Sequence, residues 1–122
     1  MDAWAVLEKL RTLPVPQQTE ASTLITLCRA AIDELQPRIR DDADPDDPRL
    51  LRAAAGIACM LYACRTADDA NDVSYFKAGD VTIRRGADDA ANALRVAREL
   101  RDEGLRAALP LLRDDAFVFT SV

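Results

Sequence analysis

The chain has 122 residues, with 16 lysines and arginines against 21 aspartates and glutamates and a net charge of −5. That length suits one domain with one core, and the acidic balance offers no broad basic face of the kind that tracks nucleic-acid phosphates, which argues against direct reading of a DNA sequence. Histidine is absent, so the commonest general base and the commonest metal ligand are both missing, and Ser-His-Asp and Cys-His catalysis are excluded.

Hydrophobic residues make up 49% of the chain but aromatic ones only 5%. Alanine, leucine and arginine dominate, a mixture that favours helix over sheet. The predicted fold class is all-α: a small helical bundle of four main helices, with a short extended hairpin or loop before the last one. Residues 1–122 read as a single domain whose residues 114–122 form an extended C-terminal tail.

The first helix is predicted from about Asp2, a capping residue, to Leu13, with Ala3, Leu7, Leu10 and Leu13 on one face. Pro14 and Pro16 end it. A second begins near Gln18 or Thr19, where Thr19, Glu20 and Ser22 suit a helix start, and Leu24, Leu27, Cys28, Ala31 and Leu35 recur at the helical period. Pro37 kinks or ends this helix. Asp41 to Asp47 is a polar turn, after which Asp47 caps a third helix with Pro48 at its first position, where a missing amide donor costs nothing. This helix carries Leu50, Leu51, Ala54, Ile57, Ala58, Leu61 and Tyr62 and is apolar almost all round until Arg65, so its neighbours should enclose it. Its apolar run from Ala53 to Cys64 is about a dozen residues, short of the ~20 that cross a bilayer.

Polar residues from Thr66 to Asp72 are predicted to end the third helix. The next segment, Val73 to Ile83, is aromatic and β-branched where its surroundings are neither, and Ala78-Gly79-Asp80 in its middle is a turn signal. Two extended arms about a turn are expected there, closed by Gly86. The last helix is predicted from Ala87 or Asp88, with Asp88 and Asp89 at its positive end and Ala90, Leu94, Ala97 and Leu105 on its apolar face. Gly104 should bend it or weaken it by ~1 kcal/mol relative to alanine, and Pro110 should kink its final turns. After Asp114-Asp115, the stretch Ala116 to Val122 alternates in the manner of a strand and holds Phe117 and Phe119. An end this apolar wants a partner surface.

Candidate chemistry is thin. Cys28, Cys59 and Cys64 are predicted to be buried thiols of a cytosolic product, since no secretory signal is seen before Met1, and Cys59 and Cys64 are spaced so that a helix does not put both sulfurs on one face. Asp42, Asp44 and Asp46 have the alternate spacing that begins a calcium loop, but Asp47 stands where that loop needs glycine and Ala53 where it needs the bidentate glutamate. The pairs Asp68-Asp69, Asp88-Asp89 and Asp114-Asp115 fall at predicted helix ends, where acids cap or solvate. Gly79 and Gly86 form no phosphate-cradling pattern. Arg84, Arg85, Arg95, Arg98, Arg101 and Arg106, mixed with Glu99, Asp102 and Glu103, read as a solvated face with i to i+4 pairing; the alternative is that some of them meet acidic patches on a neighbouring subunit. No enzyme activity, metal or cofactor is indicated.

The order of parts, with Asp47-Pro48 opening a central helix, Phe76-Lys77-Ala78-Gly79-Asp80-Val81-Thr82-Ile83 before the last helix, and Leu109-Pro110-Leu111-Leu112 at its close, resembles the head-to-tail connector (adaptor) proteins of tailed bacteriophages and prophages. Phe76 to Ile83 is similar to that family's K-x-G-D-x-(S/T)-(V/I) segment. The resemblance implies a structural subunit, made in the bacterial cytoplasm and built into the virion, whose copies form a ring beneath the portal protein. Such a ring extends the DNA channel and meets tail or stopper proteins, with DNA passing through and no membrane partner. It also implies assembly contacts at Tyr75, Phe76, Lys77, Gly79, Asp80, Val81 and Ile83, with the tail, including Phe117 and Phe119, docking on the portal or a neighbour. The alternative is a helical adaptor in a bacterial regulatory or toxin-neutralising complex.

Overall fold

A computed structural model of the protein describes residues 1–13, 15, 19–76 and 81–113, and for residues 67–76 and 81–90 it describes the backbone only. The described residues form an all-α bundle of four helices: α1 (Ala3–Leu10), α2 (Ala21–Leu35), α3 (Pro48–Phe76) and α4 (Val81–Ala108). Two single-turn 3₁₀ segments, Gln36–Arg38 and Leu109–Leu111, follow α2 and α4. The predicted tail, residues 114–122, lies outside the described residues.

The helix boundaries follow from their capping residues and prolines. Asp2 caps α1 by accepting a hydrogen bond from the Trp4 amide at 3.1 Å, and the helix closes by Leu10 with tighter bonds from Thr12 to the Lys9 carbonyl and from Leu13 to the Leu10 carbonyl. Helix α2 starts at Ala21, later than predicted, and its cap position Glu20 makes no side-chain cap bond. Thr19 turns its hydroxyl to the Tyr62 hydroxyl of α3, 3.4 Å away. Pro37 sits in the 3₁₀ turn that ends α2. Helix α3 opens as predicted: the Asp47 carboxylate accepts from the Arg49 amide at 2.9 Å, and its carbonyl accepts from the Leu50 and Leu51 amides.

Two expectations are corrected at the far end of the hairpin. Thr66 to Asp72 do not end α3, which runs on through Val73, Ser74, Tyr75 and Phe76, and Gly86 does not open the last helix, which already begins at Val81. The predicted extended arms are therefore helical. Their β-branched and aromatic residues cost a helix only tenths of a kcal/mol each, and Ala67 and Ala70 favour continuation. Thr66 is accommodated mid-helix by donating its hydroxyl to the Tyr62 carbonyl, one turn back, at 3.0 Å.

The core gathers Val6, Leu7 and Leu10 of α1, Leu24, Cys28, Ala31 and Leu35 of α2, Leu50 and Ala53 to Cys59 of α3, and Ala97 and Ala108 of α4, and Leu112 closes it. Helix α3 is its centre, packed on each of the other three. From Ala53 to Cys59 every residue of α3 is buried, as its unbroken apolar sequence predicts.

The tightest contact is between α3 and α4, and two glycines make it. A Cβ built on Gly56 would lie 2.9 Å from Arg101 Cα and 3.1 Å from the Leu100 carbonyl oxygen, and one on Gly104 would lie 3.2 Å from Ala53 Cα. The backbones touch twice, three residues apart on each helix, and the helices run antiparallel. Gly104 is thus a contact position, not the bend that composition suggests. Arg52 and Glu103 pair across the same seam. Carried along at ~1.5 Å per residue, this register sets Ala63 level with Leu94, and Phe76 level with Val81.

Candidate assembly surface

The two ends of the bundle differ in kind. At one end α3 ends on Tyr75 and Phe76, while Val81 and Ile83 lie in the first turn of α4. The hairpin register brings these four predicted contact positions to one level, although they come from two helices. Lys77, Gly79 and Asp80, predicted with them, lie outside the described residues, as do Phe117 and Phe119.

The opposite end is closed by a clasp. Where the 3₁₀ turns after α2 and α4 finish, Ile39 and Leu112 pair as an isolated antiparallel bridge: the Arg40 amide donates to the Leu111 carbonyl at 2.9 Å and the Arg113 amide to the Arg38 carbonyl at 2.8 Å. Both side chains of the bridge are buried. Pro37 and Pro110 lie just before the two bridge strands, and each, lacking an amide proton and holding φ fixed, helps to turn its helix end into extended chain. The Arg113 guanidinium pins the clasp, with Nε donating to the Ile39 carbonyl at 3.2 Å and Nη2 to the Asp41 carboxylate at 2.7 Å.

Beside the clasp is an open hollow of about 450 Å³ lined by Arg40, Asp41, Asp42 and Arg113. Its charges already answer one another: Arg113 holds Asp41, and Arg40 Nε lies 3.3 Å from Asp42 Oδ1. The hollow is therefore electrically balanced, with the charges exposed.

Two other carboxylates of the acidic turn bond nearby backbone amides. Asp44 accepts from the Asp46 amide at 2.9 Å. Asp47 caps α3 and also takes the Arg49 side chain at 3.2 Å, and that side-chain hydrogen bond holds its carboxyl below the usual range. Among the described residues, no cluster of three or more metal-ligating side chains forms.

Burial pushes the Cys28 thiol up to about 11 and raises that of Cys59 as well. Cys64 corrects the expectation of three buried thiols: it is exposed, because it lies past the level where α2 begins.

On α4, Arg95 reaches Glu99 at 3.4 Å in the predicted i to i+4 manner and Asn92 at 2.8 Å, and Arg101 lies 3.2 Å from Asp102. Arg98 and Arg106 are exposed. The side chains of Arg84, Arg85, Asp68, Asp69, Asp88 and Asp89 lie outside the described set, as do Asp114 and Asp115.

Reasoning from sequence missed the clasp and the glycine seam. Isolated glycines within helical runs, Gly56 and Gly104, were the signal for the seam, and a proline at the close of two separate helices was the signal for the clasp.

No protein-family model, no curated protein and no solved structure matches the chain. Among the described residues no helix is long and apolar enough to cross a membrane.

Proposed function

We propose that the protein is a structural subunit of a tailed-phage or prophage head-to-tail connector ring, and not an enzyme. In this role it joins the portal to tail or stopper proteins and extends the DNA channel. The observation that carries the reading is where the family-like segment falls: Phe76 to Ile83 spans the junction of a long antiparallel helical hairpin. A subunit of a ring needs contacts that its own core does not use, and the end of a hairpin farthest from the clasp is suited to making them. Tyr75, Phe76, Lys77, Gly79, Asp80, Val81 and Ile83 are the proposed contacts there, with Phe117 and Phe119 in the tail. The acidic net charge suits a channel through which DNA slides without sticking, because like charge repels phosphate.

The test is to look for a portal gene beside the gene of this protein and to co-express the two products, followed by electron microscopy and mass measurement of the purified material. A ring seated on the portal supports the reading. A chain that never joins a portal, or that forms a one-to-one complex with a regulatory protein or toxin, overturns it in favour of the helical-adaptor alternative.

A further inference from the structure

The hairpin outruns the bundle that supports it. Thr19, just before α2, meets Tyr62 of α3, and the clasp sets the other end of α2 beside the foot of the hairpin. Helix α2, 15 residues long, therefore runs antiparallel to α3 and covers it only from Pro48 to about Tyr62. Helix α3 continues to Phe76, about 20 Å further at ~1.5 Å per residue.

Exposure changes at that level on both helices. Cys64, Arg65 and Thr66 are all exposed, and so are Ala91, Asn92 and Ala93, which the register places beside them. Three consecutive exposed residues cover nearly a full helical turn, so among the described residues neither helix has a third element packed on it at this height. The described core lies on the other side of this level, with its last members at Ala63 on α3 and Ala97 on α4.

We infer that the bundle is complete without residues 64–93, and that residues 64–76 and 81–93 form an appended two-helix arm whose folding is separable from that of the core. The glycine seam, the clasp and the buried side chains up to Ala63 and Ala97 belong to the core. Among the described residues only its own two helices support the arm, and isolated helices of this length are marginal in water. In the connector reading, on which the assembly consequence of this inference rests, the core carries the fold and the arm carries the contacts.

Native-state hydrogen exchange on the full chain tests the separation. Amides of residues 53–59 and 100–108 should exchange together and slowest, and those of 67–76 and 82–90 should exchange at least ~10-fold faster through openings that leave the core intact. Equal protection in both sets overturns the inference.

A second test joins Ala63 to Leu94 through a glycine-serine linker of about five residues, a length that serves antiparallel helices. The shortened protein should remain helical and unfold cooperatively; an unfolded product overturns the inference. A shortened protein that folds and still assembles on the portal leaves the inference standing and removes the connector reading's contacts from the arm.

Discussion

Residues 53–59 and residues 64–66 lie on one continuous helix, yet the first stretch is buried all round and the second is wholly exposed. The backbone is the same in both, so the difference comes from the neighbours. Helix α3 packs on the other three helices, and at Gly56 its side chains are small enough to let the α4 backbone touch its own. Around Arg65, beyond the level where α2 begins, only α4 remains beside α3 among the described residues. The helix thus serves as core in one half and as projection in the other, and substitutions should feel that boundary.

The largest effect is expected at Leu50, fully buried at the foot of α3. Leu50→Ala should lower stability by about 3 kcal/mol in denaturant titration, the usual transfer and cavity cost, whereas Arg65→Ala, beyond the boundary, should change it by less than about 0.5 kcal/mol. Equal losses at the two sites would erase the contrast.

Next comes the seam. Gly56→Ala brings a methyl against the Arg101 backbone at a distance real contacts do not reach, and should cost about 2 kcal/mol even after the helix-propensity gain of alanine. Gly104→Ala is less crowded, and the same gain should offset more of its cost. Thermal midpoints in the order wild type, Gly104→Ala, Gly56→Ala, from high to low, are the result that sharpens the picture.

Alkaline pH separates the cysteines. Cys28 holds its proton in the fold up to about pH 11, but in the unfolded chain it releases it near its ordinary value of 9.0. Its contribution is therefore fully present below pH 9 and lost as the pH rises from 9 toward 11. Cys28→Ala should flatten this part of the melting profile relative to wild type, and a thiol reagent on the native protein should label Cys64 quickly and leave Cys28 and Cys59 until unfolding.

The smallest effect is at the clasp, where the Arg113 side chain is half in water and that of Asp41 almost wholly so. Arg113→Ala removes the bonds to Ile39 and Asp41 and should cost about 1 kcal/mol by chemical denaturation. A loss as large as that of Leu50→Ala would mean that the guanidinium, and not the buried Ile39–Leu112 pair, holds the two ends.

Much of the bundle was legible in its sequence because its signals are local. Asp47-Pro48 marks a helix start by chemistry that needs no partner, Pro37 marks an end for the same reason, and the apolar run from Ala53 onward predicts a buried helix. The far end of α3 misled for the converse reason. Thr66 to Asp72 and Gly86 look like stops when read singly, but each weakens a helix only slightly, and continuation there is decided by the helix across the hairpin. Of the proposed contact positions, Tyr75, Phe76, Val81 and Ile83 were taken for extended chain and are helical. Nothing in one dimension pairs Gly56 with Arg101 or Gly104 with Ala53, since those matches exist only once a register does.

The Ile39–Leu112 bridge has a consequence for the order in which the molecule is made. Helices α3 and α4 follow one another in the chain, so their seam closes a shorter loop than the clasp does. The bridge joins points some 70 residues apart, and closing a loop of that size is entropically costly until what lies between has collapsed. The clasp is then the last contact to form and the first to open, so the folding rate should be set by the hairpin and the unfolding rate by the two residues that tie its foot to the end of α2.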